Sequence, residues 1–109
     1  MKILVVSESF IIRDSLNHIL NEILDTDDII TVSNLNNVLD KELLEIDFSF
    51  IDVNKNNISI VERLSKIRRK FKSSKIMILD SKKDIELFIK SVDYGIDGYI
   101  LNIKLEFVI

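Results

Sequence analysis

A run of apolar residues near the middle of the chain ends abruptly on an acid. Residues 47–54 have the sequence DFSFIDVN, in which Asp52 follows the apolar run and Asn54 stands two positions later. Other short apolar runs end on further polar side chains: Ser7, Glu8, Asp80, Ser81 and Asn102. Carboxylate and carbonyl oxygens are the ligands that Mg²⁺ prefers, and a carboxylate can attack phosphorus to form an acyl phosphate. Asp52 is therefore either a reactive group or a structural terminator of its strand.

The sequence lacks the motifs of several other functional classes. Its two glycines, Gly95 and Gly98, lie near the C-terminus, which excludes the P-loop and the dinucleotide-binding fingerprint. The absence of cysteine removes disulfides, thiolate catalysis and cysteine-ligated metals, and it favours a reducing compartment. His18 lacks the partners that a general base or a metal ligand needs, so we expect it on the exposed side of a helix.

Composition limits the chain to one domain and argues against two classes of partner. The 109 residues are 47% hydrophobic and 30% charged, which predicts a single domain over 1–109. The net charge of −3 argues against direct binding of nucleic acid, and we interpret the basic run from Lys66 to Lys75 as a solvated helix end. No apolar run approaches the ~18 residues that span a bilayer. We therefore expect a cytoplasmic protein without membrane insertion.

Five short runs rich in branched apolar residues predict buried parallel strands. They lie at 3–6, 29–32, 48–51, 76–79 and 99–101. Strands that alternate with helices, without hairpin turns, predict βαβ units and an α/β fold with a doubly wound parallel sheet. Functional groups of such a sheet gather at the carboxyl ends of the strands. The polar residues that follow the strands should therefore share one edge.

Between these strands, apolar residues recur with the 3.6-residue period of a helix. Four predicted helix faces follow from this period: Ile12, Leu16, Ile19, Leu20 and Ile23; Leu35, Val38, Leu39 and Leu43; Ile60, Val61, Leu64, Ile67 and Phe71; and Ile85, Phe88, Ile89 and Val92. Asn34 is the predicted N-cap of the second helix. Gly95 stands where a helix C-cap needs a left-handed residue.

The strand ends resemble those of the receiver domain of bacterial response regulators in two-component signalling. The segments KILVVSES (2–9), DFSFIDVN (47–54), SKIMILDS (74–81) and YGIDGYILN (94–102) carry the resemblance, which covers nearly the whole chain. The last segment is the most specific, and it is similar to receivers joined to a helix-turn-helix DNA-binding domain. The resemblance implies a flavodoxin-like five-stranded sheet with the strand order 2-1-3-4-5.

The resemblance also implies a chemical role for the polar strand ends. Asp52 would accept a phosphoryl group from a histidine kinase, Mg²⁺ would be held by Asp52, Glu8 and the main-chain carbonyl of Asn54, and Tyr99 would be the switch aromatic. The domain would be regulatory rather than an enzyme. It would control transcription and contact DNA only through an output domain outside this chain.

The end of the chain leaves the family's final helix missing or truncated, because few residues follow the fifth strand. Loss of that helix would expose an apolar patch, which soluble monomers rarely tolerate. We therefore expect the chain to be the N-terminal part of a longer regulator, with a homodimer as another way to cover the patch.

Three positions depart from the family pattern. Ser7 replaces the first of two adjacent acids, which predicts weaker Mg²⁺ binding. Asp80 replaces a hydroxyl that contacts the phosphoryl group, unless Ser81 takes that role, and Asn102 replaces a lysine. The departures leave an alternative function, a pseudo-receiver that acts as a dimerisation or protein-interaction module without phosphorylation. A small Mg²⁺-dependent phosphatase-like enzyme is a weaker third hypothesis, because no second catalytic acid stands two residues after Asp52.

Overall fold

Strands and helices alternate along the described part of the chain, as the two hydrophobic periods predict. The computed structural model describes residues 1–24, 28–36, 38–54, 57–71, 74–80 and 84–101, without the side chains of 67–71 and 101. The elements in these ranges are β1 (Ile3–Val6), α1 (Phe10–Leu24), β2 (Ile29–Val32), α2 (Asp40–Leu43), β3 (Phe48–Asp52), α3 (Ile58–Phe71), β4 (Lys75–Asp80), α4 (Ile85–Asp93) and β5 (Gly98–Leu101). In those same ranges, no helix has the length and apolar content to cross a membrane.

The strands form one parallel sheet in the order β2-β1-β3-β4-β5. Val6, the last residue of β1, lies opposite Val32 of β2 and Ile51 of β3. Because the strand order reverses between β1 and β3, successive crossovers leave in opposite directions and open a crevice at the carboxyl ends of these two strands. The predicted doubly wound α/β fold and its strand order are confirmed.

Successive strand residues point to opposite faces of the sheet, and each face is covered by different helices. On the face that we call the α3–α4 face, buried strand residues pack with buried helix residues: Leu4, Val6, Ile51, Ile76 and Ile78 with Val61, Leu64 and Leu87. On the opposite α1 face, the corresponding residues are Ile3, Val5 and Leu79 with Leu16 and Leu20. The sheet is therefore sandwiched between helices, and its carboxyl edge is the place where polar groups can collect.

Three helices differ from the predicted pattern. Only Leu43 of the second predicted face lies in α2, because that helix begins at Asp40; Leu35, Val38 and Leu39 precede it. In α1, Leu20 is buried but Ile23 is 71% exposed. In α4, the predicted apolar stripe lies outward, with Ile85 73% exposed, while Leu87 and Ser91 face the core. A hydrophobic period shows which residues share a helix face, but it does not determine which face meets the sheet.

The ends of the helices bear out some cap predictions and correct one. Gly95 has a φ of 81° directly after the C-cap of α4, as predicted. Asn34 does not cap α2, which begins at Asp40; its side-chain oxygen accepts a hydrogen bond from the Asn36 amide at 2.9 Å and closes a turn instead. His18 is exposed on α1, as predicted. The predicted truncation of a final helix falls on residues 102–109, outside the described ranges.

Two buried helical serines make a matched test of the packing on the α3–α4 face. The Ser91 hydroxyl has no hydrogen-bond partner among the described residues, whereas the Ser65 hydroxyl donates to the Tyr94 carbonyl. We expect Ser91→Ala to raise the free energy of unfolding by about 1 kcal/mol, because it removes an unpaired buried hydroxyl and introduces a better helix former. Ser65→Ala should lower it by about 1 kcal/mol, since it breaks a buried bond. Urea unfolding measures the free energy of unfolding of both variants. A Ser91→Ala variant that is destabilised as much as Ser65→Ala would contradict the difference between the two hydroxyls.

Candidate functional site

The site begins with a direct hydrogen bond between the ends of β1 and β3. The Ser7 hydroxyl donates to Oδ2 of Asp52 at 2.7 Å. Ser7 is fully buried and Asp52 is half-buried. Ser7 and Asp52 each lie two residues after a strand residue of the α1 face, Val5 and Phe50, so the alternation of the two strands brings their side chains together on that face. A half-buried carboxylate of this kind requires a donor, and Ser7 supplies one.

Ser7 is itself held by the first turn of α1. Its hydroxyl oxygen accepts a hydrogen bond from the Ser9 amide at 3.0 Å, and its carbonyl accepts one from Nη1 of Arg13 at 2.7 Å. The Ser9 hydroxyl accepts from the Ile12 amide at 3.3 Å, which is the geometry of a helix N-cap. Because its oxygen is occupied by an N–H, the Ser7 hydroxyl is oriented to donate its proton to Asp52.

The loop after β3 is tied back to Asp52 by a second asparagine. Nδ2 of Asn57 donates to the Asp52 carbonyl at 2.8 Å, and Oδ1 of Asn57 accepts from the Asn54 amide at 2.7 Å. The main-chain N–H of Asn57 in turn donates to Oδ1 of Asn54 at 3.0 Å. Asp52 is thus held twice, at its side chain by Ser7 and at its carbonyl by Asn57.

Asp80 ends β4 as a buried carboxylate. It is fully buried, and its Oδ2 accepts hydrogen bonds from the Asp84 amide at 2.9 Å and from the Tyr99 hydroxyl. Asp84 is the N-cap of α4, so Asp80 secures the residue on which the helix starts. Asp80 shares its face of the sheet with Ile78 and Tyr99, which belong to the α3–α4 face. The carboxylates of Asp52 and Asp80 therefore belong to opposite faces.

Tyr99 connects this buried acid to the exposed side of α4. Burial raises the pKa of the Tyr99 phenol, and the hydrogen bond and negative charge of Asp80 raise it further. The Tyr99 ring packs edge-to-face on Phe88, with ring centroids 4.8 Å apart. Tyr99 is half-buried in this arrangement, with its hydroxyl turned inward.

The oxygen atoms that the ends of β1 and β3 carry are of the class that binds a hard divalent cation. Asp52 supplies a carboxylate, Asn54 a main-chain carbonyl, and Glu8 an exposed carboxylate one residue after Ser7. Within the described residues no group of three acidic, histidine or cysteine side chains is arranged as a metal site. Mg²⁺ keeps several waters and is usually held by one or two carboxylates, so this smaller donor set still fits it.

The structure brings some of the predicted residues together and adds others. Ser7 joins Asp52, and Asp80 joins Tyr99. Ser81 and Asn102 lie outside the described residues. Asn57 is a site residue that was not predicted: its place directly before α3 is an N-cap signal, which does not indicate that its side chain bonds to the backbone at Asp52 and Asn54.

Comparison with known proteins gives the fold a family context. No family model matches the chain, and no curated protein sequence matches it. A solved response regulator from Burkholderia pseudomallei, with a phosphorylated aspartic acid, calcium and citrate, matches with a TM-score of 0.75 and 18% identity, over 98% of this chain and 61% of that one. A CheY-like receiver domain protein from Methanospirillum hungatei matches with a TM-score of 0.76 and 19% identity, over 97% of this chain and 82% of that one.

A receiver domain protein from Clostridium thermocellum matches in the same way, with a TM-score of 0.72 and 20% identity over 97% of this chain and 83% of that one. The chain therefore has the fold of response regulator receiver domains. It spans less than two thirds of the length of the Burkholderia regulator.

The bond between Tyr99 and Asp80 predicts a specific dependence of stability on pH. We expect Tyr99→Phe to lower the free energy of unfolding by about 2 kcal/mol near neutral pH, because a buried carboxylate loses a donor. The pKa of Tyr99 is raised in the folded state, so above the ordinary value of about 10 the unfolded chain loses this proton first. The stability that Tyr99 contributes is therefore complete below pH 10 and declines above it.

Urea unfolding of the native chain and of Tyr99→Phe, from neutral pH to above pH 10, measures this difference. Tyr94→Phe is the matched control, because it removes the hydroxyl of the chain's other tyrosine, which lies at the C-cap of α4. A stability difference between the native chain and Tyr99→Phe that stays constant across pH 10 would contradict the assignment.

Proposed function

We propose that this chain is the receiver domain of a two-component response regulator and that Asp52 accepts a phosphoryl group from a histidine kinase. The observation that carries the proposal is the position of Asp52. Its carboxylate stands at the carboxyl end of β3, beside β1 and at the reversal of strand order, and is oriented by Ser7 at 2.7 Å. A nucleophile held at the mouth of a crevice meets the positioning requirement of phosphoryl transfer.

The transfer conserves atoms and charge in a simple way. A carboxylate oxygen of Asp52 forms a bond to phosphorus as the bond between phosphorus and the imidazole nitrogen of a phosphohistidine breaks. The imidazole leaves with the electron pair of that bond and takes up a proton, and Asp52 becomes an acyl phosphate. A carboxylate has two oxygens and about four acceptor sites, so the bond from Ser7 is compatible with this role.

A divalent cation, Mg²⁺ in our proposal, supplies charge neutralisation when bound, because both the nucleophile and the incoming group are anionic. Asp52, Glu8 and the main-chain carbonyl of Asn54 would hold it. Ser7 stands where the resemblance places another acid, and it donates a hydrogen bond to Asp52 rather than offering a carboxylate. The site therefore has one anionic ligand fewer, which favours weak binding.

The bond between Asp80 and Tyr99 favours a second candidate function. At the position where the family has a hydroxyl, this chain has a buried carboxylate that holds the Tyr99 hydroxyl inward. A switch residue fixed in this way fits a pseudo-receiver, a protein-interaction module that acts without phosphorylation. The two candidates share one fold and differ in whether Asp52 reacts.

The resemblance also supports proposals about the regulatory role, location and output of the domain. The domain is regulatory rather than an enzyme, works in the cytoplasm, and controls transcription through an output domain joined to it. Self-association is also proposed. The outward apolar stripe of α4, which includes Phe88 and Val92, is compatible with it.

Phosphoryl acceptance is tested by intact-mass measurement after incubation with Mg²⁺ and acetyl phosphate. We expect the native chain to gain the mass of one phosphoryl group, and Asp52→Asn to gain none, because an amide cannot form the acyl phosphate. Asp93→Asn is the matched control, since Asp93 is an exposed aspartate at the end of α4, and it should behave as the native chain.

An unmodified native chain that nevertheless folds would eliminate the phospho-accepting role and favour the pseudo-receiver. An adduct that persists in Asp52→Asn would assign the chemistry to another residue. Turnover of acetyl phosphate well beyond one equivalent would revive the phosphatase hypothesis.

A further inference from the structure

We propose that Asn57 is a positioning residue, which fixes the backbone between Asp52 and Asn54 in the conformation needed for cation and phosphoryl binding. This inference rests on the proposed function of Asp52. Asn57 lies in the loop after β3. In the hydrogen bonds that the structure describes, its side chain contacts only backbone groups, those of Asp52 and Asn54.

The side-chain amide of Asn57 bonds to the loop that precedes it. An asparagine directly before a helix normally turns its side-chain oxygen toward the amides of the first helical turn. Asn57 directly precedes α3, but its Oδ1 accepts from the Asn54 amide at 2.7 Å, behind the helix start. The side chain is therefore committed to the loop and not to the helix.

Hydrogen bonds fix the two peptide groups that follow Asp52. The carbonyl of the peptide between Asp52 and Val53 accepts from Nδ2 of Asn57, and the amide of the same peptide donates to the Leu79 carbonyl at 3.0 Å. The amide of the next peptide donates to Oδ1 of Asn57. Two successive peptides after the reactive residue are thus anchored, and one side chain makes two of the three bonds.

The Asn57 side chain must donate and accept at the same time, as an amide does without carrying charge. One end of the Asn57 side chain must donate to a carbonyl and the other must accept from an N–H, so the orientation of the amide is determined by its partners. Asn57 is also buried, so loss of either bond would not be repaired freely by water. A carboxylate at this position would place an oxygen against the Asp52 carbonyl.

These anchors bear directly on the Asn54 carbonyl, which the proposed function assigns to the cation. The main-chain N–H of Asn57 also lies 3.3 Å from that carbonyl oxygen, although it is closer to Oδ1 of Asn54, to which it donates at 3.0 Å. A residue that orients a metal ligand without touching the metal typically changes metal affinity by about 10- to 100-fold when it is removed. We therefore expect Asn57 to act through the cation site.

The test compares Asn57→Ala and Asn57→Asp with the native chain. Mg²⁺ is titrated into each protein, and the dissociation constant is read from backbone amide shifts by NMR. We expect affinity to fall by about tenfold or more in both variants. Asn57→Asp keeps the acceptor for the Asn54 main-chain N–H, loses the donor to the Asp52 carbonyl and adds a negative charge that by itself would favour Mg²⁺. A fall in affinity in this variant therefore assigns the effect to the lost bond with Asp52.

The control separates positioning from a general loss of stability. Ser65→Ala also removes a buried hydrogen bond, but in α3 and toward the Tyr94 carbonyl. It should leave the Mg²⁺ dissociation constant unchanged. Equal Mg²⁺ affinity in the native chain and both Asn57 variants would overturn the inference, as would a native chain whose amides do not respond to Mg²⁺.

The outcomes also distinguish this inference from the proposed function. A native chain that forms the phosphoryl adduct, with Asn57 variants that bind Mg²⁺ and react as the native chain does, refutes the role of Asn57 and leaves Asp52 as the acceptor. A native chain that forms no adduct, but whose Mg²⁺ affinity falls in the Asn57 variants, refutes the acceptor role and supports Asn57 as the residue that orients the cation site.

Discussion

A carboxylate at the end of a buried strand must be satisfied by hydrogen bonds, and much of this crevice can be understood from that constraint. Asp52 and Asp80 both stand at such ends, yet they are satisfied differently. Asp52 is half-buried and is held by the Ser7 hydroxyl, which the first turn of α1 orients. Asp80 is fully buried and is held by the Asp84 amide and the Tyr99 hydroxyl.

This difference separates the chemistry of the site from its support. Asp52 shares its face of the sheet with Ser7 and is partly open to solvent, so it can receive a reactant. Asp80 belongs to the other face, where it joins the start of α4 to β5. The carboxylate at position 80 holds the Tyr99 hydroxyl inward.

Most of the fold could be predicted from the sequence because buried parallel strands require unbroken apolar runs, and the runs ending at Val6 and Ile51 satisfy this requirement. The meeting of Ser7 with Asp52 follows from that sheet. The outward stripe of α4 could not be predicted, because periodicity does not determine which helix face meets the sheet. Asn57 was missed because a hydrophobic pattern carries no information about bonds between a side chain and the backbone.

We propose that Ser7 stands where the resemblance expects a cation ligand and holds Asp52 by a hydrogen bond instead. The most direct measurement is an NMR titration of Mg²⁺ into the native chain and into Ser7→Asp, with Tyr99→Phe as a control on the other face of the sheet. A third anionic ligand, added to Asp52 and Glu8, should tighten Mg²⁺ binding by about tenfold or more, while the control remains close to native. Equal affinity of the native chain and folded Ser7→Asp would contradict the claim.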